Sequence, residues 1–248
     1  MWVQVSEQEV ELLPQRRPDA EHELPNYPHV IGFQQYVPQT MLQQGRLQLY
    51  YRVADALFTY IHLVTQPFSQ TAKQEKLARI APFLRCPQCG GALQLFEDKT
   101  ICESCQQVYP RTAQHFDFLT PELRQAYQII DTNAVSHHEY DRFAQEVIRS
   151  FPEGLVLDCG AGSRGVNYSN VINFEIANYL STDVLGVAEQ LPFQDETFDG
   201  VLSLAVLEHV SDPFRCAAEI ARVLKKGGRV YCVVPFLQPV HAYPNHFY

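Results

Sequence analysis

The sequence predicts an α/β fold in its second half: a mostly parallel sheet with flanking helices, preceded by a small cysteine-bearing module and an N-terminal helical segment. Three observations carry that expectation. Leu155-Val156-Leu157 is a short apolar run of the kind that forms a strand buried on both faces, and it leads directly into Asp158-Cys159-Gly160-Ala161-Gly162. Further apolar runs, Val171–Ile176 and Val201–Leu204, come at intervals broken by turn and helix signals. Cys86, Cys89, Cys102 and Cys105 form two C-x2-C pairs twelve residues apart.

Length and composition bound the rest. A chain of 248 residues accommodates one large domain, or one domain and a small module, with an ordinary hydrophobic fraction for a core. The net charge is −9, and residues 121–248 hold 16 acids against nine bases. No basic tract is present, which argues against a large nucleic-acid footprint. No basic-then-apolar leader opens the sequence. Its longest apolar run, Val53 to Val64, contains Asp55 and His62 and is too short for a membrane span. Seven cysteines without such a leader point to thiols or metal ligands in a reducing, cytoplasmic setting.

Taken in order, residues 1–39 are rich in Pro, Glu and Gln and read as an irregular arm. Residues 40–84 read as helical. Leu47, Tyr50, Tyr51, Ala54, Leu57, Phe58 and Ile61 share a helical spacing over 40–64, and a second helix covers Ala72 to Phe83. Residues 85–120 hold the cysteine pairs. Each C-x2-C knuckle sets two thiolates about one metal, so two knuckles make a closed four-cysteine site that is structural and not catalytic. Four free or redox cysteines are the alternative. Ala92–Phe96 and Thr100-Ile101 suit the strands of a hairpin between the knuckles. A module this small depends on its Zn2+ for folding energy. It resembles a zinc ribbon, and with its tail, Val108-Tyr109-Pro110 through Phe116–Leu119, is similar to the short Trm112-like zinc-binding modules that accompany methyltransferase domains. That resemblance links it to substrate or partner recognition.

Residues 121–248 form the last expected domain. Helices are predicted from Pro121 to Ile130 and from about Glu139 to Phe151, the second with Tyr140, Phe143, Val147 and Ile148 on one stripe. Gly160, Gly162 and Gly165 satisfy the dinucleotide pattern G-x-G-x-x-G, a weak match by itself. Asp158, two places before the first glycine, discriminates: an acid at the strand tip suits a ligand with an amino group there and repels a diphosphate. The stretch thus resembles motif I, D-x-G-x-G-x-G, of the class I S-adenosylmethionine-dependent methyltransferases, with a Rossmann-like sheet. It departs from the motif at Arg164, where the third glycine belongs. A nicotinamide dehydrogenase is disfavoured by Asp158.

The resemblance continues downstream and is that of a methyltransferase type 11-like domain. Glu175 ends a second strand, 17 residues beyond Asp158, where the family's acid accepts both ribose hydroxyls. Only nine residues separate Gly165 from Glu175, an unusually short crossover. Asp183 through Phe193 is similar to the family's adenine loop, G-D-A-x-x-L-P-F, which places Ala188 and Leu191 beside the cofactor. Val187 stands where an acid often accepts the adenine amino group, so Val187→Asp is expected to tighten binding. Phe198-Asp199 and Leu207-Glu208-His209-Val210 match the fourth strand and its tip, with Asp199 structural. A helix comes next, from Asp212 to Leu224, then Arg222–Gly228, similar to R-V-L-K-P-G-G, and a fifth strand, Arg229–Val234. The family's last helix and two strands are missing from the sequence, so the domain reads as truncated, with an open sheet edge.

The resemblance implies methyl transfer from S-adenosyl-L-methionine by in-line displacement. The protein then contributes positioning and, for a hydroxyl or amine acceptor, a proton acceptor, for which His209 and His241 are the candidates. The expected cofactor ligands are Asp158, Gly160, Gly162, Glu175, Ala188 and Leu191, and the expected metal ligands Cys86, Cys89, Cys102 and Cys105. A small molecule, sugar or lipid-linked metabolite is favoured as acceptor over RNA. A protein partner is expected on the N-terminal helices or the open sheet edge. The rival class is a non-catalytic interaction protein with a degenerate site.

Overall fold

The computed structural model describes residues 70–129 and 139–234 in full and, before residue 64, only backbone strands. The chain divides into two compact units, Met1–Val64 and Thr65–Tyr248.

In the first unit, β1 (Trp2–Val5), β2 (Gln8–Glu11), β5 (Arg46–Val53) and β6 (Ala56–Leu63) form an antiparallel sheet in the order β2-β1-β5-β6. Strands β3 (Pro14–Arg16) and β4 (Ile31–Phe33) pair separately. The expected helix over 40–64 is therefore corrected: Arg46 to Leu63 is a β-hairpin in which Val53 pairs with Ala56. The sequence allows both periods there. Leu47, Leu49, Tyr51 and Val53 also recur every second residue, and the run is rich in the aromatic and β-branched types that strands favour. The expected irregular arm likewise carries β1 to β4.

The second unit opens with α1 (Gln70–Ile80) and a 3-10 turn, Ala81–Phe83, matching the second expected helix. Strands β7 (Leu93–Leu95), β8 (Lys99–Cys102) and β9 (Val108–Pro110) make the ribbon's antiparallel sheet. After β10 (Phe116–Asp117) come α2 (Pro121–Ala126) and α3 (Arg142–Ser150). The remaining elements are β11 (Val156–Cys159), β12 (Val171–Glu175), β13 (Val184–Leu185), β14 (Phe198–Leu204), α4 (Pro213–Val223) and β15 (Leu224–Val233).

Six strands pair in parallel in the order β10-β13-β12-β11-β14-β15. From β11 the chain winds outward through β12 and β13, then crosses to β14. The strand order therefore reverses between β11 and β14, and ligands of open α/β sheets bind outside the carboxyl ends at such a point. Sequence reasoning missed β10: the tail of the ribbon is itself a strand of the main sheet. Tyr109 of the ribbon packs against Phe118 with ring centroids 5.0 Å apart, and both belong to the hydrophobic core that contains Leu157, Phe174 and Phe193.

The short crossover is real. Residues 160–170 contain no helix, yet β11 and β12 pair in register from Val156↔Val171 onward. The cover that a crossover helix would give comes instead from α1, far upstream. Leu77 and Ile80 of α1 share the core with Ile172 and Phe174 of β12. Lys76 Nζ donates to Asn167 Oδ1 at 3.2 Å, and Arg79 donates to the carbonyls of Ser169 and Gly154. Buried Asp183 pairs with Lys73 at 2.9 Å and Lys76 at 2.6 Å and accepts from the Asn173 amide. Helix α1 is thus bolted to the loops at both ends of β12.

Helix α3 begins at its N-cap Asp141, whose side chain accepts from the Phe143 and Ala144 amides. A Cβ on Gly200 would lie 2.8 Å from Val147 Cγ1, so that glycine lets α3 settle on β14. The expected apolar stripe of this helix holds at Tyr140, Val147 and Ile148, whereas Phe143 is exposed beside Tyr231. Asp199 has the expected structural role: it accepts from the Leu155 amide and pairs with Lys225. Strand β15 ends the described sheet, with Val230, Val233 and Val234 exposed.

Candidate cofactor site and metal centre

The glycine turn comes directly after β11. Gly160 (φ 78°) and Gly162 (φ 62°) both lie in the left-handed region, which costs side-chain-bearing residues free energy. At Gly160 a Cβ would collide with the Val206 side chain at the tip of β14, so this glycine is required by packing as well. The Gly160 and Ala161 amides both donate to the Phe174 carbonyl, at 2.9 and 3.0 Å. Glu175 closes the turn from the next strand. Its Oε2 accepts from the Gly162 amide at 2.7 Å and its Oε1 from the Ile176 amide at 2.8 Å. Burial pushes the Glu175 carboxyl above its ordinary pKa despite those amides. Ser181, unremarked in the sequence, donates to the Gly162 carbonyl and accepts from the Arg164 amide.

Asp158 is fully buried at the foot of this turn. Its Oδ2 accepts from Tyr140 Oη at 2.7 Å and from Arg164 Nε at 2.9 Å, while its Oδ1 is buried with no hydrogen-bond partner among the described residues. The Arg164 guanidinium lies 4.2 Å from the Tyr140 ring centroid. Burial opposes the Arg164 charge, but Asp158 and Tyr140 outweigh it and raise its pKa above the usual value. Burial also drives the Tyr140 hydroxyl well above its ordinary pKa, so Tyr140 remains a donor.

These residues fit the methionine end of S-adenosylmethionine. An orphaned carboxylate oxygen in a buried setting is costly unless a donor meets it, and an ammonium group is such a donor. Glu175 lies at the tip of the neighbouring strand, and its two amide contacts leave further acceptor capacity.

The loop expected to meet adenine is held by acids the sequence did not single out. Glu189 Oε1 accepts from the Ser211 amide at 2.9 Å and the Ser211 hydroxyl at 2.8 Å. Glu219 Oε2 accepts from the Leu191 amide, and Arg222 donates to the Leu191 and Phe193 carbonyls. Ala188 and Leu191 lie in the main core beneath the loop. Val187 is buried with Leu119 and Leu185, flanked by Leu123, Tyr127, Ile129 and Ile176. An acid in that apolar cluster would be desolvated, so the tightening expected from Val187→Asp is withdrawn on structural grounds.

His209 ends the 3-10 turn Leu207–His209 at the tip of β14, with its Nε2 3.9 Å from Glu208 Oε1. Glu208 is 5% exposed, and neither carboxylate oxygen has a hydrogen-bond partner among the described residues. The sequence placed both residues at this strand tip but gave a role only to the histidine. His241 lies outside the described residues.

In the ribbon, the Cys86, Cys89, Cys102 and Cys105 sulfurs all lie within 4.8 Å of one another. Cys86 and Cys105 are 3.7 Å apart and Cys89 and Cys102 3.4 Å apart. A tetrahedral zinc site with bonds of about 2.3 Å sets sulfurs about 3.8 Å apart. The donor set and spacing therefore suit zinc. Gly90 (φ 73°) turns the first knuckle, with its amide donating to the Cys86 carbonyl. Tyr109 Oη stands 3.3 Å from Cys86 Sγ, placed to donate to a thiolate. Sequence reasoning passed over it. Among the described residues, no helix is long and apolar enough to cross a membrane.

Residues 158–232 match the family described as a methyltransferase domain, Methyltransf_11. The chain is 52% identical over 48 residues to the ubiquinone biosynthesis O-methyltransferase of Maricaulis maris, covering 19% of each protein. It is 32% identical over 94 residues to the uncharacterized protein MJ1123 of Methanocaldococcus jannaschii, covering 33% of this chain and 45% of that protein. Among solved structures, it is 33% identical to a Thermotoga maritima S-adenosylmethionine-dependent methyltransferase, with a TM-score of 0.27, covering 35% of this chain and 46% of that one. The chain thus spans less than half the length of these relatives. The family match and the methyltransferase relative support a class I S-adenosylmethionine-dependent methyltransferase domain.

Proposed function

We propose that this protein transfers a methyl group from S-adenosyl-L-methionine to a small-molecule, sugar or lipid-linked acceptor, behind a structural zinc ribbon. The observation that carries the reading is the buried Asp158, whose Oδ1 has no hydrogen-bond partner among the described residues, one strand from Glu175 and directly ahead of the glycine turn. The cofactor supplies an activated methyl group. Asp158 would hold its ammonium and Glu175 its ribose, while the apolar side chains around Val187 would wall the adenine. The site then has only to orient an acceptor nucleophile in line with the methyl and take up its proton. His209, at the tip of β14 beside Glu208, is the candidate for that proton, and His241 is the other candidate read from the sequence. The acidic balance of residues 121–248 supports an acceptor without a phosphate backbone.

The ribbon would hold Zn2+ through its four cysteines. With the four sulfurs within 4.8 Å of one another, the cysteines would fill all four tetrahedral positions and leave none for substrate. The ribbon shares its core with the sheet, so the metal would act by fixing β10 and the loop around Leu84, which bridges to Phe193. A Trm112-like role in partner recognition rests on the cysteine pattern and the ribbon's place ahead of the sheet.

Isothermal titration of the full chain with S-adenosylhomocysteine tests the reading. Micromolar binding that weakens at least tenfold in Asp158→Asn supports it. No binding by the folded, zinc-loaded chain overturns it.

A further inference from the structure

The four cysteines of the ribbon do not share one environment. Cys89 and Cys105 are exposed, whereas Cys86 and Cys102 are fully buried and belong to the hydrophobic core that also holds Leu157, Phe174 and Phe193. Four thiolates around one Zn2+ carry more negative charge than the ion offsets, so sulfurs shut away from water need donors from the protein. Backbone amides face three of the sulfurs: Gly91 that of Cys89, Ser104 and Cys105 that of Cys102, and Gln107 that of Cys105. At Cys86 the donor is a side chain. Tyr109 Oη lies 3.3 Å from Cys86 Sγ, and Tyr109 is 1% exposed. Its place is fixed from two sides. Strand β9 pairs Tyr109 with Thr100 of β8, two residues before Cys102, and the Tyr109 ring packs on Phe118. Between a neutral thiol and a hydroxyl either group could donate. Once a metal holds the sulfur as a thiolate, only the hydroxyl has a proton to give.

We infer that Tyr109 is a positioning residue of the metal centre, whose hydroxyl donates to the Cys86 thiolate and thereby raises the ribbon's affinity for zinc. The inference rests on the reading of the four cysteines as a zinc site and adds the side chain that completes its surroundings. A donor at Cys86 disperses thiolate charge inside the core, where an unmet charge is costly. Hydrogen-bond partners of metal ligands are worth about 10–100-fold in metal affinity. Because the same side chain packs on Phe118, metal loading and the packing of the main core meet at one residue.

The test joins an affinity to a spectroscopic signature that a merely structural role would not move. Zinc affinity of the full chain is measured by competition with a chromophoric chelator, and the thiolate-to-metal charge-transfer band is read on the Co2+-loaded chain. Tyr109→Phe removes the hydroxyl and keeps the ring. It should weaken zinc binding by about tenfold or more, and it should move the cobalt band to longer wavelength, because a sulfur without its donor gives up charge more readily. Tyr109→3-fluorotyrosine keeps the whole side chain and makes the hydroxyl a stronger donor, so it should move the band to shorter wavelength, whether or not Tyr109→Phe folds. A cobalt band that neither variant moves, or zinc affinity within about twofold of wild type in Tyr109→Phe, overturns the inference while the zinc reading stands. If the wild-type chain binds neither zinc nor cobalt through its thiols, the zinc reading fails, and the inference fails with it.

Discussion

Replacing Asp183 by Asn removes one buried charge and leaves two of opposite sign. Asp183 is fully buried and meets Lys73 and Lys76, both 5% exposed or less, at 2.9 and 2.6 Å. Breaking a buried pair from one side costs about 3–5 kcal/mol, because the remaining charge keeps its desolvation penalty without its partner. With a urea slope of about 2 kcal/mol/M, the midpoint should fall by roughly 1.5–2.5 M. Linkage adds a second, independent signature. Burial lowers the Lys73 pKa below its ordinary value of 10.5, while Asp183 opposes that shift. The native state then binds fewer protons than the unfolded chain as pH approaches 10.5, so stability rises with pH there. Without Asp183 the lowering is larger and the rise begins at lower pH, so the Asn variant should lose less stability at about pH 9.5 than at about pH 7. The variant Asp183→Leu/Lys73→Met/Lys76→Leu, which removes all three charges, should recover most of the loss. Urea unfolding followed by far-ultraviolet circular dichroism reads all three results. A midpoint shift under about 0.5 M at unchanged slope for Asp183→Asn would refute the claim that α1 is bolted to the sheet through this acid.

Three more outcomes are expected. Chelating the metal, or replacing Cys102 with Ser, should lower the thermal midpoint of the second unit, with four thiols titrating per released zinc; unchanged melting after complete chelation would show that the ribbon folds without metal. Val187→Asp should cost about 2–3 kcal/mol in urea, since it puts a carboxylate into the cluster around Leu119 and Leu185; a neutral effect would mean that the cluster admits water. Asp199→Asn should flatten the acid limb of the stability curve. Burial raises the Asp199 carboxyl, but Lys225 and the Leu155 amide prevail and hold its folded pKa below 3.8. Its contribution is thus present above pH 3.8 and lost as pH falls through the folded value, and equal acid sensitivity in the two chains would refute the pairing.

The features legible in the sequence were chiefly those set by local pattern. Leu155 to Gly162 has a strand and turn grammar that depends on no distant residue, and the structure has the strand and the glycines where that grammar puts them. The cysteine knuckles are equally local. Asp183 shows where this ends. It was visible as an acid in the adenine loop, but its role depends on Lys73 and Lys76, more than a hundred residues earlier, and nothing in the sequence links them. The same holds for Glu189, Glu219 and Arg222, whose work is to pin a loop from another element. Residues 46–63 failed for a different reason: their apolar residues satisfy both a helical and a two-residue period, and pairing with β1 selects the strand.

The short crossover joins these threads. With only nine residues between Gly165 and Glu175, the chain cannot build a covering helix and return to the sheet in parallel. The cover that such a helix would give has to come from elsewhere in the chain. Covering Ile172 and Phe174 passes to Leu77 and Ile80 of α1, held by the Lys73–Asp183–Lys76 cluster. Behind the glycine turn, the buried Arg164 guanidinium pairs with Asp158. Replacing Arg164 by Gly would leave the Asp158 carboxylate buried without its ion-pair partner, so the variant should lose about 3–5 kcal/mol in urea unfolding. An unchanged urea midpoint for Arg164→Gly would refute the claim that this pair helps hold the short crossover against the sheet.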